Sequence, residues 1–159
     1  MSNKNIIDEK SPFLKKRWII ILISVLLVIA IVASFFLVTA GRTYEADGVR
    51  QNSRMYMKDI RYENGKLYCT FVNNTWHRLT LSRWTPTEKW INGRWQSYSL
   101  HPGQGTPSIA CILDPFDSYT QDQPVTCDKS ELVGKYRLKD GDYEWVIVGY
   151  FEITEEMLA

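Results

Sequence analysis

Residues 55–72 read Met55-Tyr56-Met57-Lys58-Asp59-Ile60-Arg61-Tyr62-Glu63-Asn64-Gly65-Lys66-Leu67-Tyr68-Cys69-Thr70-Phe71-Val72. Met55 to Tyr62 alternates, Leu67 to Val72 alternates again, and Asn64-Gly65 stands between them. Alternation with period two lets a strand bury one face and solvate the other. Asn-Gly between two such runs is a strong short-range signal for a hairpin, because a type I′ turn needs positive φ at both central residues. This stretch predicts an antiparallel β pair.

The pattern continues downstream. Asn73-Asn74-Thr75 closes the second strand. Arg78 to Thr85 follows, broken by Pro86, and then a second Asn-Gly hairpin sets Lys89-Trp90-Ile91 against Arg94-Trp95-Gln96 around Asn92-Gly93. Pro102-Gly103-Gln104-Gly105 is a turn, Ile109 to Leu113 a short apolar run, and Asp114 to Gln123 reads as loop. Gln123 to Asp128, Lys135 to Lys139 and Tyr143 to Ile153 read as the last strands, with Asp140-Gly141 turning between the final two. About seven or eight short strands with frequent turn signals and no helical period argue an all-β sandwich or barrel.

Upstream, residues 41–54 are polar and show neither period, so they read as a juxtamembrane stalk. Before them, Trp18 to Ala40 is an uncharged run of 23 residues behind Lys15-Lys16-Arg17. About 20 apolar residues suffice for a helix to cross a ~30 Å hydrocarbon core. The basic cluster predicts a cytoplasmic tail over residues 1–17, a membrane span over 18–40, and everything later outside the cytoplasmic membrane. The alternative is a cleaved signal peptide, since Val38-Thr39-Ala40 resembles a cleavage site. The apolar run, however, is longer than the roughly 7–15 residues usual there. Ala30 and Ser34 have the small-xxx-small spacing that supports helix association.

The tail carries five Lys/Arg against two Asp/Glu, and residues 41–159 carry 14 against 16. No basic stripe tracks a phosphate backbone, so nucleic acid is not an expected partner. About 105–115 residues outside the membrane make one domain, 55–159. Five of the six Trp and all nine Tyr lie beyond the span, and such rings, each burying 150–250 Å², can build a small core.

Leu132-Val133-Gly134-Lys135-Tyr136-Arg137-Leu138 resembles the approach to strand F of an immunoglobulin-like domain. Tyr136 matches the corner tyrosine, whose hydroxyl bonds back to the backbone upstream, and Leu138 stands where the second core cysteine belongs. Leu67-Tyr68-Cys69 would then be strand B with Cys69 facing the core. With Gly149-Tyr150-Phe151-Glu152-Ile153, Val72-Asn73-Asn74 and Gly93-Arg94-Trp95, the stretch from Met55 to Ile153 is similar to the bacterial immunoglobulin-like domain family of small membrane-anchored surface proteins. The segment Ile109 to Tyr119 departs from that pattern as an insertion with an extra cysteine. The resemblance implies an immunoglobulin-like antiparallel sandwich that serves as an interaction module, with no common chemistry.

Three cysteines cannot all pair within one chain. Cys111–Cys127 is the leading disulfide, closing about 17 residues at ~3 kcal/mol in the chain-entropy model; Cys69 with either one, or no bridge, are the alternatives. His77 and His101 sit beside loop signals, and Asp114, Asp117 and Asp122 match no calcium-loop spacing. No metal, cofactor or catalytic residues are expected. The aromatic and apolar residues Trp76, Trp84, Trp90, Trp95, Val146, Val148 and Tyr150 are the candidate interaction surface. In the last strand, Trp145, Ile147, Phe151 and Ile153 share the core-facing parity. The expected partners are the lipid bilayer and a protein or a second copy of the chain. A glycan is the alternative, needing two Trp on one plane, and so is a place as structural subunit of a membrane complex.

Overall fold

Helix α1 (Pro12–Ala40) is followed by eleven strands, β1 to β11, in a computed structural model that describes residues 12–46, 48–105 and 109–158. Residues 1–11 of the expected tail lie outside the described residues. The chain forms two units, one ending at Val38 and one running from Thr39. Residues Arg17–Ala40 are long and apolar enough to cross a membrane. The hydroxyls of Ser24 and Ser34 donate to the carbonyls of Ile20 and Ala30, at 3.0 and 2.7 Å, so the helix satisfies them itself.

The second unit is an antiparallel β-sandwich. One sheet orders β3 (Met55–Glu63), β4 (Lys66–Asn73) and β9 (Asp117–Pro124); the other orders β11 (Val146–Ile153), β10 (Gly134–Gly141), β6 (Thr87–Ile91) and β7 (Arg94–Ser97). The chain crosses between them after β4, back after β7 and again after β9, the immunoglobulin-like plan. Two small ladders complete it: β1 (Thr43–Ala46) with β2 (Val49–Asn52), and β5 (Leu79–Ser82) with β8 (Ala110–Leu113). Both Asn-Gly pairs adopt the conformation their turns require, with φ of 51° and 73° at Asn64-Gly65 and 52° and 79° at Asn92-Gly93. Leu67, Cys69 and Phe71 of β4 face Tyr136 and Leu138 of β10 and Ile147 and Ile153 of β11 in a buried core. Trp145 and the half-buried Phe151 join it, as their parity predicts.

The corner matches its resemblance. Tyr136 is fully buried and its hydroxyl donates to the Leu132 carbonyl at 2.6 Å. Its ring stacks on Phe151 at 5.1 Å. Gly134 takes a φ of 147°, which a side chain rarely adopts. Tyr136→Phe should therefore lower the unfolding free energy by about 0.5–1.5 kcal/mol, the net worth of a hydrogen bond. An unchanged urea midpoint would count against the corner.

Three expectations are corrected. Residues 41–54 are the β1–β2 hairpin, in which Val49, Gln51 and Asn52 are buried. Their polar inward side chains hid the period of two. Asn52 donates to the Ala40 carbonyl at 2.8 Å and ties this hairpin to the start of the unit. Likewise Asp114 to Gln123 holds β9, which pairs with β4 from Asp117 to Pro124 and leaves the sheet where Gln123 to Asp128 reads as strand. Its buried residues are Gln121 and Gln123, bonded to the hydroxyls of Thr85 and Thr87. Finally, Cys111 and Cys127 do not pair. All three cysteines are free thiols: Cys111 on β8 lies against the Tyr119 hydroxyl and Cys127 against Tyr98.

Candidate recognition face

The outer face of the four-stranded sheet follows from register. Arg137 on β10 opposes Tyr150 on one side and Glu88 on the other, and Trp90 opposes Trp95 across the hairpin. With period two, Tyr150, Arg137, Glu88, Trp90 and Trp95 all point to the same side, away from the core. Val148 and Val146 continue that face along β11.

Arg137 is only 5% exposed although it lies on an outer face. Its guanidinium pairs with Glu88, Nε at 2.5 Å from Oε2, and Nη2 reaches the same oxygen. The Trp95 ring covers it at 5.0 Å, a cation–π distance. Trp90 packs edge-on against Trp95 at 5.1 Å, and Tyr150 lies 5.8 Å from Trp95. Trp90 and Tyr150 nevertheless stay 45% and 50% exposed, while Val146 and Val148 are half-buried. The result is a desolvated guanidinium, paired with a half-buried carboxylate, beneath an aromatic surface.

The other two tryptophans of the expected surface lie elsewhere. Trp84 is half-buried against His101, ring centroids 4.3 Å apart, beside a pocket of about 190 Å³ that Thr85, Ser97 and Tyr98 help to line. Trp76 stands on the loop after β4, and its indole donates to the Thr39 hydroxyl at 2.9 Å. Arg137 and Glu88, which organise the face, are not among the residues picked from sequence. Their pairing joins strands 49 residues apart, and nothing local signals it.

The remaining polar groups have structural tasks. Asp114 pairs with Arg78 and Asp122 with Lys66, and Asp117 accepts from its neighbour Ser118. Asp140 accepts from the amides of Ser82 and Gly141 and pins β5 to β10; burial pushes its carboxyl above the usual range. Burial also raises the Cys69 thiol to about 12 and pushes Cys127 up, which keeps these thiols protonated near neutral pH. Among the described residues, no group of three or more His, Cys, Asp or Glu side chains is placed to hold a metal ion.

His101 is buried, and burial lowers its pKa against an opposing hydrogen bond to the Pro124 carbonyl. A depressed folded pKa gives stability that is present above the unfolded value, 6.5, and lost as pH falls through the folded one. Unfolding midpoints should therefore drop on acidification from pH 7, and His101→Gln should flatten that slope. An unchanged slope in the variant would contradict this account. No protein-family model matches the chain, and no curated protein matches it.

Proposed function

We propose that this chain is a non-catalytic recognition or assembly module, held outside the cytoplasmic membrane by α1, of the bacterial immunoglobulin-like kind. The contact surface is the sheet face centred on Trp90, Trp95 and Tyr150. The observation that carries this reading is the pair of half-exposed rings gathered over the buried Arg137 guanidinium and its half-buried partner Glu88. Tryptophan, tyrosine and arginine clustered at a desolvated patch are the usual make-up of binding hot spots. A core already filled from β4, β10 and β11 has no need of them.

A protein surface, including a second copy, suits this face better than a sugar ring. Trp90 and Trp95 cross at 67°, so they do not form the single plane on which a pyranose stacks. A role as structural subunit through the helix has less support, since Ser24 and Ser34 are bonded within α1. The Lys15-Lys16-Arg17 cluster supports a cytoplasmic start.

Protease added to intact spheroplasts tests the address. Degradation of the β unit with a spared tail fits the proposal, and protection of the β unit overturns it. Pull-down of the crosslinked membrane protein, compared with its Trp90→Ala/Trp95→Ala variant, tests the face. Equal recovery of partner by both would remove the face from the proposal.

A further inference from the structure

The β unit has two ends. The β3–β4 turn, the corner at Leu132 and the Asn92-Gly93 hairpin lie at one. At the other lie Thr39, the penultimate residue of α1, the loop after β4 and the turn between β8 and β9. That second end carries an aromatic pair that neither the core nor the recognition face uses. Trp76 is 50% exposed and Phe116 46%, and they pack edge-to-face at 4.7 Å. Trp76 donates its indole N–H to Thr39, so this pair adjoins the last residues of the apolar run.

Two further features show that the pair is held in place. Phe116 has a φ of 57°, a left-handed conformation that strains a bulky residue. Glycine or asparagine would take that turn with less strain, so the sequence meets a cost to keep a large apolar ring at the tip. The two loops are also tied from beneath. Asn73 is fully buried and donates to the carbonyls of His77 and Asp114, at 2.6 and 3.0 Å. Arg78, bonded to Asp114 at 2.8 Å, flanks the pair with an exposed cation.

We infer that Trp76 and Phe116 form a second membrane contact, seated in the interfacial layer of the bilayer and holding this end of the β unit against the lipid surface. Aromatic rings with an apolar body and a polar edge concentrate at that depth, and a neighbouring arginine reaches the phosphates. The occupant is the bilayer and not a protein because the pair adjoins Thr39, which the helix fixes at the edge of the hydrocarbon. This inference rests on α1 being a membrane span. It moves Trp76 from the protein-binding surface to the lipid-binding one.

The test uses the full chain labelled with 5-fluorotryptophan in lipid nanodiscs, its fluorine resonances assigned by single Trp→Phe variants. One sample carries lipid spin-labelled high on the acyl chain; another receives a soluble gadolinium chelate. Trp90 is the reference, since its 45% exposure in the protein is close to that of Trp76. The expected result is that spin-labelled lipid broadens Trp18 and Trp76, while the chelate relaxes Trp76 several-fold less than Trp90. If Trp18 is broadened but the chelate reaches Trp76 as freely as Trp90, the second contact is overturned and the anchor stands. If Trp18 is not broadened, the anchor itself fails and the inference falls with it.

Discussion

Arg137→Ala is expected to lower the unfolding free energy of the β unit by about 1.5–3 kcal/mol, the worth of a hydrogen bond to a charged group. The Arg137 side chain is 7% exposed and Glu88 24%, so the carboxylate left behind is only partly solvated. The same change removes the cation beneath Trp95. A double replacement, Arg137→Met with Glu88→Leu, should recover most of the loss, because well-packed apolar side chains often substitute for such a pair without penalty. Urea denaturation followed by tryptophan fluorescence separates the variants. A near-neutral Arg137→Ala would mean that the pair is hydrated and that the face above it is not a desolvated patch.

The second large effect is on binding. Trp90→Ala/Trp95→Ala should reduce capture of the partner by at least about thirtyfold, since truncating hot-spot residues costs 2 kcal/mol or more. The loss of fold stability should be far smaller, because a cross-strand pair of this kind contributes roughly 0.2–1 kcal/mol. Trp90 is 45% exposed, and neither ring belongs to the buried core. If the double variant unfolds, the rings are structural and the recognition face is not where we place it.

These effects depend on elements that differ in how plainly the sequence announces them. The two Asn-Gly hairpins were legible because the turn chemistry is local and the flanking residues alternate. Leu67, Cys69 and Phe71 declare their inward face, and so do Trp145 and Ile147, because apolar side chains mark it. β9 was not legible, since its buried positions carry Gln121 and Gln123, whose partners are threonines 36 residues away. The β1–β2 hairpin hides for the same reason, with Gln51 and Asn52 inside.

The candidate face was half legible. Trp90 and Trp95 stand out as opposed rings beside a turn and Tyr150 as a ring off the core-facing parity, and the structure gathers them. What joins them is Arg137 over Glu88, set by the register of β10 on β6. That register is a tertiary fact, fixed by the core on the other side of the sheet. Trp76 and Trp84 look equivalent to the others in sequence and are not. One bonds to Thr39 and the other packs on His101.

The most direct measurement places a photo-crosslinking amino acid at position 90 in cells, with position 56 as the control. Tyr56 is 42% exposed and belongs to the opposite sheet. A discrete crosslinked species is expected from position 90, absent from position 56 and lost when Trp95→Ala is added. No adduct from position 90, or the same adduct from both positions, would contradict a recognition site on this face.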